Sequence, residues 1–332
     1  MDLEQQSRFG YFRNFVAPDQ RGIEIGPLTR PTFPAETGYT VDSLDHADTE
    51  TLVKKYENDP HIEVEKIQPT DWVWTGGSYT SIPGIPTDFD FLVSCHSIEH
   101  SEDLVQFLKD CSELLREGGL VLLTVPDKRL EFDFYRPTTT LGDALMGHYF
   151  PAALDFKARV DDLELSSRLN GDISWSEARG VQAAIAGNRP VPIRSDSQLV
   201  DELASIDSWS EETGYRDAHR WVFEPITLMR IVEGLRSVGF IDLVVIDYEQ
   251  GIGCEFMMVL RKGPDAKKNV RFSTSEYRES LVPIAYHQQG LLSTLAPHRL
   301  GVLSRAFGRR LRRAPQALLR KLRLVINLDT SQ

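Results

Sequence analysis

Two apolar runs flanking an amphipathic segment constrain this chain most. Phe89 to Ser94 (FDFLVS) and Leu120 to Val125 (LVLLTV) are apolar almost throughout, as strands buried on both faces are. Between them, Glu102 to Arg116 sets Leu104, Phe107, Leu108, Cys111 and Leu115 at helical spacing, and Gly118-Gly119 closes the helix. Strands alternating with helices predict a parallel sheet covered on both faces.

The same alternation runs through the first 130 residues. Arg21 to Gly26 (RGIEIG) reads as a strand ended by Gly26 and Pro27, and Tyr39 to Leu44 as a second strand. Thr49 to Asn58 has helical spacing, and a third strand is expected near Val64 to Gln68, leading to Asp71 and Trp72. After residue 126 the pattern breaks. Residues 127–218 are polar and without strand alternation, too long for an ordinary connection, and predict a helical lid over the acceptor. Order returns with a helix over Pro225 to Val238, Pro225 in its first turn. Two apolar strands follow, Ile241 to Tyr248 and Cys254 to Arg261, joined at Gly251-Ile252-Gly253 as an antiparallel hairpin. The expected fold is therefore α/β: a doubly wound, mostly parallel seven-stranded sheet. An N-terminal segment (1–20) precedes its core (21–126 and 219–262), the insertion interrupts it, and a helical extension (263–332) follows.

Composition narrows the function. The cysteines Cys95, Cys111 and Cys254 lie far apart, which argues against a disulfide framework and a zinc site. No apolar leader or membrane-length run occurs, so a cytoplasmic protein is expected. The net charge is −12, yet Arg299 to Arg323 holds nine basic residues and no acidic one, leaving −21 on the rest. So acidic a body does not bind nucleic acid non-specifically. The basic tail is amphipathic, with Leu300, Leu303, Phe307 and Leu311 on one helical face. It can dock onto the acidic body or lie on anionic lipid at the inner face of the membrane.

The candidate site residues fall at strand ends, where open α/β sheets bind ligands. Glu24-Ile25-Gly26-Pro27 ends the first strand, and a glycine lets the backbone approach a ligand that a Cβ would block. The absence of Gly-x-Gly-x-x-Gly disfavours a nicotinamide oxidoreductase. Asp45, rather than Asp42 inside the strand, is placed to accept hydrogen bonds from ribose hydroxyls. Asp71 and Trp72 suit adenine, as carboxylate and stacking face, or serve as a loop acid beside a core aromatic. The fourth strand delivers Ser94-Cys95-His96-Ser97-Ile98-Glu99-His100, whose Glu99 and His100 can also simply open a helix.

These runs resemble the class I S-adenosylmethionine-dependent methyltransferases. More narrowly, they resemble uncharacterised bacterial members met in surface-glycan and glycosyltransferase contexts. Asp45 to Glu50, Asp71 to Trp74, Val125 to Arg129, His219 to Phe223 and Gly253 to Phe256 extend the likeness over residues 21–262. The resemblance implies S-adenosylmethionine as cofactor, Glu24, Gly26, Pro27, Asp45, Asp71, Trp72, Cys95 and His96 as its contacts, and a small-molecule or glycan acceptor. Methylation of an oxygen of high pKa needs a general base, for which His96 comes first and Asp127 second, ahead of His148 and His219. The cluster Asp127-Lys128-Arg129 with Phe132, Asp133, Tyr135 and Arg136 either binds a polar acceptor or solvates the lid. The rival from another class is a non-catalytic module that keeps the fold and acts through its basic tail. A DNA amino-methyltransferase is disfavoured, because no Asn/Asp-Pro-Pro-Tyr run follows the fourth strand.

Overall fold

A computed structural model describes residues 1–204 and 218–263. Helix α1 (Leu3–Phe12) opens the chain. Strands β1 (Arg21–Ile25), β2 (Thr40–Asp45), β3 (Trp72–Val73), β4 (Phe89–Cys95) and β5 (Leu115–Pro126) then pair in parallel, with helices α2 (Thr49–Tyr56) and α3 (Leu104–Glu113) between them. After the insertion come helix α8 (Pro225–Ser237) and strands β8 (Leu243–Gln250) and β9 (Glu255–Lys262). Strand β9 lies antiparallel between β5 and β8, giving the order β3-β2-β1-β4-β5-β9-β8.

The period-2 alternation of strand side chains divides the core. Leu92, Val121, Leu123, Met258 and Leu260 face the side packed by α3 and α8. Their neighbours Phe91, Val93, Leu122, Met257 and Val259 face Phe12 and Val16 on the other side. Gly22 is required for this packing, because a Cβ there would stand 2.3 Å from the Phe91 ring.

Two expectations need correction. The third strand is not at 64–68: Val64–Lys66 is a single 3₁₀ turn, and β3 forms at Trp72–Val73, where Leu44 and Asp45 of β2 offer an edge to pair with. A two-residue edge strand carries no periodicity to read. The insertion is helical, as expected, through α4 (Leu141–Tyr149), α5 (Pro151–Leu165), α6 (Glu177–Ile185) and α7 (Asp196–Leu203). It also holds two short antiparallel strands, β6 (Ser167–Arg168) and β7 (Val191–Pro192). Its first part is not a lid, however. Ala144 of α4 and Leu154 of α5 belong to the main core, and Gly147 lets the Trp221 ring pack where a Cβ would sit 2.5 Å away. Trp221 is fully buried and donates its Nε1–H to the Ser101 carbonyl at 2.6 Å. No helix among the described residues is long and apolar enough to cross a membrane. The basic stretch 299–323 lies outside the described residues.

Candidate active site

Strand order reverses between β1 and β4, and the crevice at their carboxyl ends is where such sheets take ligands. Gly26, just past β1, has φ +62°, a left-handed conformation that glycine adopts without strain. Its N–H donates to the Leu44 carbonyl of β2 at 2.8 Å, which fixes the turn against the neighbouring strand. A Cβ on Gly26 would meet only the Ser97 hydroxyl, at 3.8 Å, so the turn faces open space beside the end of β4. Pro27 is buried behind it. Glu24 does not face that space. Both its carboxylate oxygens accept the Thr32 N–H, at 2.9 and 3.0 Å, so it anchors the loop 26–32 from below. Burial raises its pKa to about 7 against the opposing pull of Thr32 and Arg8.

Asp45 ends β2 one strand away. It is buried; Oδ1 accepts the His46 N–H at 2.7 Å and pairs with His46 Nδ1 at 2.6 Å. Asp71 and Trp72 are not brought to the site as adenine contacts. They precede or lie within β3 rather than following it: the Asp71 carboxylate accepts the Ser43 N–H at 2.8 Å, and the Trp72 indole donates to Asp42 at 2.9 Å. The residues that do leave the carboxyl end of β3 are Trp74 to Gly77. Trp74 N–H donates to the Asp45 carbonyl at 2.8 Å, which holds its backbone at the Asp45 end, while its indole packs edge-on to Tyr79 and donates to the Gly77 carbonyl at 2.8 Å.

At the end of β4, burial pushes the Cys95 thiol far above its usual pKa, so it is no nucleophile. His96 follows with φ +49°, an uncommon backbone state for a non-glycine residue. Its Nε2 lies 2.7 Å from Glu255 Oε2, and its Nδ1 3.6 Å from Glu99 Oε1. Burial disfavours the charged ring, but Glu255 and Glu99 outweigh it and raise the pKa to about 9. His96 is therefore an imidazolium at neutral pH, which corrects its assignment as general base there. A raised folded pKa makes this contribution to stability complete below the unfolded value near 6.5, and lost as pH rises through about 9. We expect thermal unfolding scans to show the melting temperature falling across that window, and falling less in His96→Gln. Parallel slopes for the two proteins would refute the assignment.

Sequence reasoning missed Arg8, which explains why Glu255 stays ionised. Its guanidinium grips Glu255 with two bonds, Nε at 2.9 Å and Nη2 at 2.6 Å, both partners almost fully buried. Nothing local signals a pair 247 residues apart. Helix α1 is held over the loop after β1 by Gln5, whose Nε2 donates to the Pro31 carbonyl at 3.0 Å.

Residues 35–123 match the family described as Methyltransferase domain. That family and the seven-stranded sheet with its reversed final hairpin agree. Over that segment the chain is similar to methyltransferase domains, on a sheet of the class I methyltransferase type. The open, left-handed turn at Gly26, held to the strand end that carries Asp45, fits S-adenosylmethionine, the cofactor that the sequence resemblance implies. Over 102 residues the chain is 28% identical to malonyl-[acyl-carrier protein] O-methyltransferase 1 of Coxiella burnetii, a match that covers 31% of this chain. The chain spans about a third, 35%, of that relative's length. Solved structures it resembles include a SAM-dependent methyltransferase from Methanosarcina mazei, at 11% identity and a TM-score of 0.38. That alignment covers 77% of this chain and 98% of the other. Another is an S-adenosylmethionine-dependent methyltransferase from Mesorhizobium loti, also at 11% identity and 0.38, covering 79% and 100%.

Just past the end of β5, Asp127 is fully buried and closed off by Arg129, whose Nε donates to Oδ1 at 2.7 Å and whose Nη2 contacts Oδ2. With both oxygens engaged by the Arg129 guanidinium and no exposure to an acceptor, Asp127 is not placed to act as a base. The charged cluster beyond it neither solvates a lid nor offers open charges. Lys128 donates to the Phe134 carbonyl at 2.9 Å, Arg136 pairs with Asp133 at 2.7 Å, and all four are buried. Tyr135 donates its hydroxyl to the Pro190 carbonyl. His148 is taken up by Asp103, the N-cap of α3, at 2.7 Å. His219 lies within the buried cluster, its Nδ1 2.6 Å from Asp133 Oδ2. Glu99 and His100 form a 3₁₀ turn (Ile98–His100) ahead of α3 and do not open that helix.

Proposed function

We propose that this chain transfers the methyl group of S-adenosylmethionine to an oxygen of a small-molecule or glycan acceptor. The observation that carries the reading is the open Gly26 turn where strand order reverses, tied by its N–H to the neighbouring strand end that carries Asp45. Asp45 would hold the ribose hydroxyls, the Gly26 turn the methionine part, and Trp74 rather than Trp72 the adenine edge. When bound, the cofactor supplies an electrophilic methyl on a sulfonium. The protein's part is to align the acceptor with it and keep water out. Helix α1, fastened across the loop after β1, is placed to exclude water.

His96 would act on the acceptor as a cation. Its Nδ1 stands 3.6 Å from Glu99, too far for a hydrogen bond, and can turn its N–H to an acceptor oxygen. An acceptor already anionic, such as a carboxylate, needs no base and is drawn to this imidazolium. The Coxiella relative's name, an O-methyltransferase of a malonyl group, supports oxygen as the atom.

The test is calorimetric titration with S-adenosylhomocysteine, followed by transfer of labelled methyl to panels of carboxylate and hydroxyl acceptors. We expect saturable binding and a product whose label is released by mild alkali, as a methyl ester's is and an ether's is not. No binding at millimolar ligand would overturn the enzyme reading and leave the non-catalytic binding module.

A further inference from the structure

We propose that Glu99, His100 and His219 form a binding site for one divalent first-row transition metal of the zinc or iron class. One ligand atom from each lies within 4.8 Å of the other two. Glu99 Oε1 and His100 Nε2 are 3.7 Å apart, near the ~3.4 Å edge expected of a tetrahedron with bonds of about 2.1 Å. Two imidazoles and one carboxylate are a donor set that such ions favour over magnesium or calcium.

The second observation is Glu99 itself. It is 1% exposed, and neither carboxylate oxygen has a hydrogen-bond partner among the described residues. A buried carboxylate lacking a single hydrogen bond is costly, and the ring nitrogens His96 Nδ1 and His100 Nε2 stand off at 3.6 and 3.7 Å. A metal ion would supply the missing coordination.

The surroundings are those of a ligand histidine. Nδ1 of His219 is engaged by Asp133 at 2.6 Å, leaving Nε2 as its ligand atom, and Asp133 is itself held by Arg136 at 2.7 Å. Metal-bound histidines characteristically carry such a carboxylate on the second ring nitrogen, which fixes tautomer and orientation. The backbone holds the two segments together. The Glu99 carbonyl accepts the N–H groups of Arg220 at 2.9 Å and Trp221 at 3.2 Å, and Arg220 Nη1 donates to the His100 carbonyl at 3.2 Å. The alternative grouping of His219 with Glu131 and Asp133 is disfavoured, because Asp133 is already neutralised by Arg136. Cysteine spacing cannot reveal such a site, since its ligands come from a turn after β4 and a segment 119 residues later.

The site goes beyond the methyl-transfer reading and does not depend on it. Full-length protein, freed of any tag and stripped with chelator, would be titrated with Co²⁺ followed by its visible absorption, and with Zn²⁺ by competition against a chromophoric chelator. We expect one equivalent bound. Glu99→Gln, His219→Ala and His100→Gln should each weaken binding more than tenfold, and Asp133→Asn about 10- to 100-fold. His61→Ala, at an exposed site, should leave it unchanged. S-adenosylhomocysteine titration of the stripped protein and of each variant reports folding and tests the cofactor site separately. Failure of that titration alone leaves the metal assignment standing. Absence of metal binding by the intact protein, or binding that Glu99→Gln and His100→Gln leave unchanged, overturns it.

Discussion

Glu255→Ala is expected to destabilise the protein by about 3–5 kcal/mol, the cost of removing one partner from a buried ion pair. The Glu255 side chain is 2% exposed and that of Arg8 5%, so neither charge can turn to water when the other is lost. The variant would also strip His96 Nε2 of its 2.7 Å partner and bring the His96 pKa down toward its ordinary value. Two readouts check this. Urea denaturation should show the midpoint displaced, with a slope unchanged if the native state stays compact. NMR titration of the His96 ring should move from about 9 toward neutrality. A loss of stability below 1 kcal/mol would mean that the Arg8–Glu255 contact contributes nothing beyond a surface pair. Since Arg8 belongs to α1 and Glu255 to β9, the same substitution tests whether the first helix is an integral part of the site.

Asp45→Ala is expected to weaken S-adenosylhomocysteine binding by about 3 kcal/mol, roughly a hundredfold. A carboxylate accepting hydrogen bonds from two ribose hydroxyls makes charge-assisted bonds that no water-filled gap replaces. Fold damage should be modest, because the Asp45 side chain pairs with the half-exposed His46. A melting temperature close to that of the parent protein would separate the two effects. Asp45→Asn should lose less, since the amide oxygen still accepts. Affinity within twofold of the parent would place the ribose elsewhere and remove Asp45 from the site.

Much of the fold was legible in the chain because its determinants are local or repetitive. The runs FDFLVS and LVLLTV announce buried strands, Gly26 a turn, and Gly251 to Gly253 a hairpin, and each lies where expected. Asp45 and Gly26 could be placed at strand ends for the same reason: their strands carry enough apolar residues to be bounded. Strand β3 was misplaced because two residues at a sheet edge leave no period, and Asp71 and Trp72 were misassigned with it. Asp127 reads as a base, and the charged residues after it as an acceptor site or a solvated lid, because charged residues are usually exposed. Only the pairing of Asp127 with Arg129, and of Asp133 with Arg136 and His219, shows them to be buried.

The sequence by itself determined a doubly wound sheet, the reversed terminal hairpin and the strand ends around the crevice, because backbone periodicity and turn chemistry are written into neighbouring residues. The tertiary structure alone decided which charges meet. Arg8 finds Glu255, Glu255 turns His96 from a base into a cation, and Glu99 comes to face His100 and His219. Apart from the adjacent Glu99 and His100, these contacts join segments more than a hundred residues apart, and the charge state of each group depends on burial and neighbours that no local pattern encodes.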